Sequence, residues 1–157
     1  MMEQVKFSRR DWLRGVTASF IAVSIIGIGA DEALAAISDN AKAAIKKTIG
    51  NKTPASGKIN LDAPQIAENG NTVPLTIEVE SPMTAGDHVK ALHIFADGNP
   101  NTEVSTFKFT PANGVAKVST RLRLAKTQNV VAVAEMSNGS LYQAQAAVKV
   151  TIGGCGG

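Results

Sequence analysis

Apolar side chains recur at every second position along three stretches of this chain, a period that a strand satisfies and a helix does not. Val73, Leu75, Ile77 and Val79 alternate with Pro74, Thr76, Glu78 and Glu80. Val118, Leu122 and Leu124 alternate with Lys117, Ser119, Arg121 and Arg123. Ala144, Ala146, Val148, Val150 and Ile152 alternate with Gln143, Gln145, Lys149 and Thr151. One apolar and one polar face per strand is the mark of antiparallel sheets with one side in water. Turn residues separate the runs: Asn69-Gly70-Asn71, Asp97-Gly98-Asn99-Pro100, Pro111-Ala112-Asn113-Gly114 and Ser137-Asn138-Gly139-Ser140. The pattern predicts about seven strands, near 58–61, 72–81, 89–96, 103–110, 115–124, 129–137 and 141–152. Short strands at this spacing point to a mainly β fold, an antiparallel β-sandwich of immunoglobulin-like architecture. The core cysteines and tryptophan of antibody domains are missing, since the single Trp is Trp12 and the single Cys is Cys155. The architecture therefore rests on the number and spacing of strands.

One segment has the other period. Ile37, Ala41, Ala44, Ile45 and Ile49 form a helical apolar stripe. Ser38 or Asp39 can cap its start, Lys46 and Lys47 suit the negative end of the dipole, and Gly50 suits the stop. Asn51 to Gly57, with Pro54, reads as a linker between this N-terminal helix and the strands.

The first 35 residues read as an export signal. Ser8-Arg9-Arg10-Asp11-Trp12-Leu13-Arg14 precedes an uncharged stretch from Gly15 to Ala30, then Asp31, Glu32 and the small-residue pattern Ala33-Leu34-Ala35. The uncharged stretch falls short of the roughly 20 apolar residues that span a bilayer. Arg9 and Arg10 resemble the paired arginines of a twin-arginine signal, with Trp12 and Arg14 in place of the usual Phe and Lys. An uncleaved membrane anchor is the competing interpretation. Cleavage after Ala35 leaves a helix-plus-sandwich domain over 36–152 and a glycine arm over 153–157, delivered to the periplasm with no membrane attachment. Twin-arginine export carries folded proteins. This chain has no residue set to hold a metal cofactor, so a partner subunit folded with it before export explains the route better.

Composition removes several function classes. The 16 basic and 13 acidic side chains give a formal charge of only +3, without the clustered Lys and Arg of a nucleic-acid binder. Aromatic residues make up 4%, too few for stacking platforms. Two histidines, His88 and His93, and one cysteine cannot build a zinc site, an iron–sulfur cluster or an internal disulfide. No resident cofactor is expected. His93 lies in a predicted strand, where a structural or surface role is the default, and His88 precedes that strand beside Asp87, where a solvated loop is the default. Glu78 and Glu80 share a strand face as ordinary solvent-facing acids do. The face carrying Lys117, Arg121 and Arg123 reads as solvated, with a partner surface as the alternative.

Cys155 remains. A lone cysteine is most often a small buried hydrophobe, yet here it sits in Gly153-Gly154-Cys155-Gly156-Gly157, among residues with no side chains to pack against it. Five residues beyond Ile152 extend at most roughly 15–18 Å, at about 3.3–3.6 Å each. Such an arm is flexible and thin enough to enter a narrow channel on another protein. A thiol with a pKa near 8.5 is only a few per cent thiolate at neutral pH, so activation is expected to come from the enzyme it visits.

With the twin-arginine signal, the terminal Val148-Lys149-Val150-Thr151-Ile152-Gly153-Gly154-Cys155-Gly156-Gly157, the stretch Ala63 to Gly70 leading into Val73-Pro74, and Asn99-Pro100 leading into Ser105-Thr106-Phe107, the chain resembles the SoxY family. These are the sulfur-carrier subunits of the Sox thiosulfate-oxidising system. The resemblance implies an immunoglobulin-like sandwich paired with a SoxZ subunit as a heterodimer. It implies a non-enzymatic carrier whose terminal cysteine holds pathway intermediates for a SoxAX-type haem enzyme, a SoxB-type manganese-dependent hydrolase and, where present, a sulfane dehydrogenase. Carried onto this sequence, Cys155 is the attachment residue, and Gly153, Gly154, Gly156 and Gly157 are the swinging arm. A Gly154→Val change is then expected to slow several enzymatic steps with little effect on folding. Two rivals stay open. A ubiquitin-like sulfur carrier would use a terminal thiocarboxylate instead of Cys155. An exported immunoglobulin-like binding module would use Cys155 only as a disulfide linker.

Overall fold

The computed structural model describes residues 37–154. The export-signal residues Arg9 and Arg10, and Cys155, Gly156 and Gly157, lie outside the described residues.

Helix α1 (Asp39–Ile49) follows the predicted stripe. Of the two candidate caps the fold uses Ser38, whose Oγ accepts from the Ala41 N–H at 3.3 Å and donates to the Asp97 carbonyl at 2.9 Å. One hydroxyl thus caps the helix and ties it to the sandwich. Gly50 ends the helix at φ +77°, a left-handed conformation that glycine adopts without a Cβ penalty.

Nine strands follow: β1 (Ala55–Ser56), β2 (Ile59–Asp62), β3 (Ile66–Asn69), β4 (Val73–Val79), β5 (Val89–Ala96), β6 (Glu103–Lys108), β7 (Ala116–Leu122), β8 (Gln128–Met136) and β9 (Leu141–Ile152). They form two sheets. The larger runs β1-β9-β8-β5-β6, with β3 also on β9; the smaller runs β2-β4-β7. Among the described residues, the mainly β sandwich with one α-helix is as expected. The expectation of about seven strands, all antiparallel, is corrected by β1 and β3. Both pair in parallel with β9, β1 beside Tyr142 and Gln143 and β3 beside Lys149 to Ile152. Neither has a readable alternation. β1 is two residues inside the Pro/Gly stretch, and β3 turns only Ala67 inward. β9, at 12 residues, is long enough to carry both along one edge.

The main core lies between the sheets. Leu75 and Ile77 of β4 are buried in one cluster with Leu92 and Ile94 of β5, Val130 and Ala132 of β8, and Val148 of β9. A second, smaller core forms on the outer face of the large sheet, where Ile37, Ala41 and Ile45 pack on Phe95, Val131 and Val133. The helix therefore covers β5 and β8 from outside. That is why these two strands are nearly continuous apolar runs, whereas β4 and β7 alternate.

Candidate functional site

The last strand brings the chain to its terminal glycines, and hydrogen bonds from two directions hold it there. On one side, Lys149 N–H donates to the Gln65 carbonyl at 2.9 Å and Gly70 N–H donates to the Ile152 carbonyl at 2.8 Å. On the other, Val150 N–H donates to Thr127 Oγ1 at 3.0 Å and Gly154 N–H donates to the Leu124 carbonyl at 2.9 Å. Leu124 N–H closes the circuit by donating to the Gly70 carbonyl at 2.8 Å. Gly70, Leu124 and Gly154 thus form a clip made entirely of main chain.

The segment that offers the Leu124 carbonyl is itself held by a buried polar network. Asn99 Nδ2 donates to the Arg123 carbonyl at 2.8 Å, and Asn99 Oδ1 accepts from Ala125 N–H at 2.9 Å and Gln128 Nε2 at 2.8 Å. Gln128 Oε1 accepts from Gly98 N–H at 2.7 Å. Asn99 and Gln128 are both buried, so breaking this network strands polar groups away from water.

The clip requires glycine for lack of space. A Cβ on Gly153 would lie 2.2 Å from the Ala125 carbonyl oxygen. One on Gly154 would lie 2.8 Å from the Gly70 oxygen, and one on Gly70 would lie 2.2 Å from the Leu124 oxygen and 2.7 Å from the Gly154 nitrogen. The expectation that the arm is free from Gly153 onward is corrected here: Gly154 is buried and hydrogen bonded, so the held part of the chain extends two residues past β9. A Gly154→Val change opens this contact locally, since the added side chain meets backbone atoms of Gly70 and Asn71 that cannot rotate away. Sequence reasoning missed Gly70. It reads as a turn residue in Asn69-Gly70-Asn71, and only the approach of Leu124 and Gly154, distant in sequence, shows why it must be glycine.

The remaining candidates occupy structural positions. His93 is 8% exposed, and its Nδ1 shares a 2.8 Å hydrogen bond with Thr106 Oγ1. Its Nε2 is buried without a partner among the described residues. Burial lowers its pKa below the ordinary 6.5, and the charges of Glu135 and Glu103 oppose that shift. His88 Nδ1 lies 3.1 Å from the Thr84 carbonyl oxygen. Glu78 pairs with Lys117 across the strands at 2.9 Å, whereas Glu80 lies beyond the end of β4 and donates its N–H to the Lys58 carbonyl at 2.7 Å. Arg121 and Arg123 are exposed. Among the described residues no group of three or more His, Cys, Asp or Glu is placed to hold a metal ion, and no helix is long and apolar enough to cross a membrane.

The family model for sulfur oxidation protein SoxY matches residues 45–155, from within α1 through the cysteine that follows the clip. The chain belongs to the SoxY family. The sulfur carrier protein SoxY from Chlorobium limicola f thiosulfatophilum is similar in structure at 37% identity and TM-score 0.60, over 71% of this chain and 96% of that one. Superoxide reductase (neelaredoxin) from Ignicoccus hospitalis matches at 19% identity and TM-score 0.52, over 60% of this chain and 80% of that one. A variant of the same reductase matches at 18% identity and TM-score 0.54, over 59% and 79%. At that identity the reductases share the sandwich and nothing further is carried over from them. No curated protein sequence matches the chain. The SoxY match ends on Cys155, so the clip and the thiol after it lie within the family's own stretch.

Proposed function

We propose that this chain is an exported carrier of oxidised sulfur, with Cys155 as the attachment point. Membership of the SoxY family supports the carrier role. The observation that carries the finer reading is the clip, which ties down Gly154, the residue that precedes the chain's single cysteine in the sequence. Of the two histidines, His88 directs Nδ1 to the Thr84 carbonyl oxygen and His93 shares its Nδ1 hydrogen bond with Thr106 Oγ1. The chemistry belongs to enzymes that visit the thiol.

Each step is then a reaction at one sulfur atom. The Cys155 thiol and thiosulfate join through a new S–S bond, releasing one proton and two electrons to a haem enzyme of SoxAX type. The product is a cysteine S-thiosulfonate. A SoxB-type hydrolase adds water to the terminal sulfonate, cleaves its S–S bond, and leaves sulfate and a cysteine persulfide. Where a sulfane dehydrogenase is present, three waters supply the oxygens as six electrons leave the outer sulfur, and a final hydrolysis returns the thiol. Arg9 and Arg10 direct export through the twin-arginine route to the periplasm, and a SoxZ-type subunit travels with the chain as a heterodimer.

Mass spectrometry of the protein purified from thiosulfate-grown cells tests this reading. The thiosulfonate or persulfide mass is expected on the peptide containing Cys155, together with a co-purifying small subunit in one-to-one ratio. Sulfur on the C-terminal carboxylate, or a Cys155 found only as a disulfide, would sink it.

A further inference from the structure

We propose that Gly70 is a positioning residue for the carrier thiol: with the Leu124 carbonyl it fixes the point from which the arm leaves the sandwich. The proposal rests on the carrier reading above and adds a residue far from the terminus in sequence.

Glycines usually serve turns by adopting positive φ, as Gly50, Gly57, Gly114 and Gly139 do. Gly70 is absent from that group, so conformational freedom does not account for it. Contact geometry does. Its two main-chain groups are both used, the N–H on Ile152 and the carbonyl on Leu124, and the missing Cβ leaves room for three neighbours. An added methyl would lie 2.2 Å from the Leu124 oxygen, 2.7 Å from the Gly154 nitrogen and 2.9 Å from Val150 Cγ1. Two of these three are the donor and acceptor of the bond that holds Gly154. Any residue at 70 other than glycine therefore forces that bond apart.

The consequence is a change in where the arm begins. Measured from Ile152, Cys155 is three residues away; from Gly154 it is the next residue, roughly 3.3–3.6 Å of chain. Fixing the origin narrows the volume the sulfur can sample and raises its effective concentration at a docked enzyme. Gly70, Leu124 and Gly154 also mark the end of the sandwich that every visiting enzyme must approach.

The test uses the full exported chain with its co-purified subunit. Amide hydrogen exchange is followed at Gly154 in wild type, Gly70→Ala and Gly153→Ala, with Gly86→Ala as control because a Cβ at Gly86 meets open space. Gly154 is expected to exchange at least about tenfold faster in Gly70→Ala and Gly153→Ala, while core amides of Leu92 and Val133 stay protected. In steady-state assays with the haem enzyme, KM for the carrier is expected to rise several-fold with kcat little changed, because the enzyme meets the same thiol from a less defined origin. Wild-type protection at Gly154 in Gly70→Ala would overturn the proposal. If Gly70→Ala instead loses protection uniformly across β5 and β8, Gly153→Ala decides, since its clash is at the terminus: wild-type protection at Gly154 there would overturn the proposal. Failure of the carrier reading is separate: Cys155 in wild type would carry no sulfur adduct, whatever the exchange data show.

Discussion

The two ends of the described chain are fastened to the same sandwich by different means. At the amino-terminal end, Ile37, Ala41 and Ile45 bury their side chains on Phe95, Val131 and Val133. At the carboxyl-terminal end, Gly153 and Gly154 have no side chains, and Gly154 is held by one main-chain bond to Leu124. Side-chain packing stabilises in proportion to the apolar area it hides, and it tolerates substitution by similar shapes. A backbone clip contributes little energy, about 0.5–1.5 kcal/mol net for a typical hydrogen bond. It nevertheless restricts residue identity severely, because a single methyl does not fit. The first device anchors a domain; the second sets a position and can open without unfolding anything.

Five measurements put that contrast at risk. Cys155→Ser should abolish thiosulfate-dependent loading while leaving the thermal midpoint unchanged; residual loading read by mass spectrometry would separate the clip from the function given to it. Phe95→Ala removes the ring under the helix, and urea unfolding should show a loss of about 3–5 kcal/mol with loading intact once the protein is folded. Ser38→Ala strips the helix cap and its tie to Asp97, with an expected loss of about 0.5–2 kcal/mol in the same assay. Gly154→Val should cost less than about 1 kcal/mol in global stability, because the clip opens locally, yet it should speed exchange at Gly154. The smallest effect is a pH dependence. The folded-state pKa of His93 is held below 6.5 by burial, so the neutral ring's contribution is complete above that value and declines as pH falls through the lower one. Denaturation at several pH values should show this decline, and His93→Gln should flatten it.

How much of this was legible beforehand varies by region for physical reasons. In β4, Val73, Leu75, Ile77 and Val79 face the core and their neighbours face water, so the alternation could be read directly. Helix α1 announced itself through Ile37, Ala41 and Ile45, and through Gly50. β5 and β8 gave a weaker signal, since α1 covers their outer face and the polar half of the pattern is missing. β1 and β3 gave almost none: a parallel partner on β9 supplies their hydrogen bonds, and a pairing partner leaves no mark on side-chain pattern. Cys155 stood out because its glycine neighbours exclude burial by side-chain packing. Gly70 did not, since a glycine between two asparagines looks the same whether it turns the chain or admits a neighbouring backbone.

The sandwich class, helix α1, the expected export signal and the one thiol on which the proposed chemistry turns could all be read from the residues in order. These are matters of residue type and period, which local physics reads without knowing what lies opposite. It took the folded chain to settle that the terminal glycines are partly tied down, and that Gly70 and Leu124 do the tying. That decision rests on three segments far apart in sequence meeting at distances of 2.8 and 2.9 Å. Backbone-to-backbone contacts of this kind depend on where the fold brings the chain, and the side chains do not encode them.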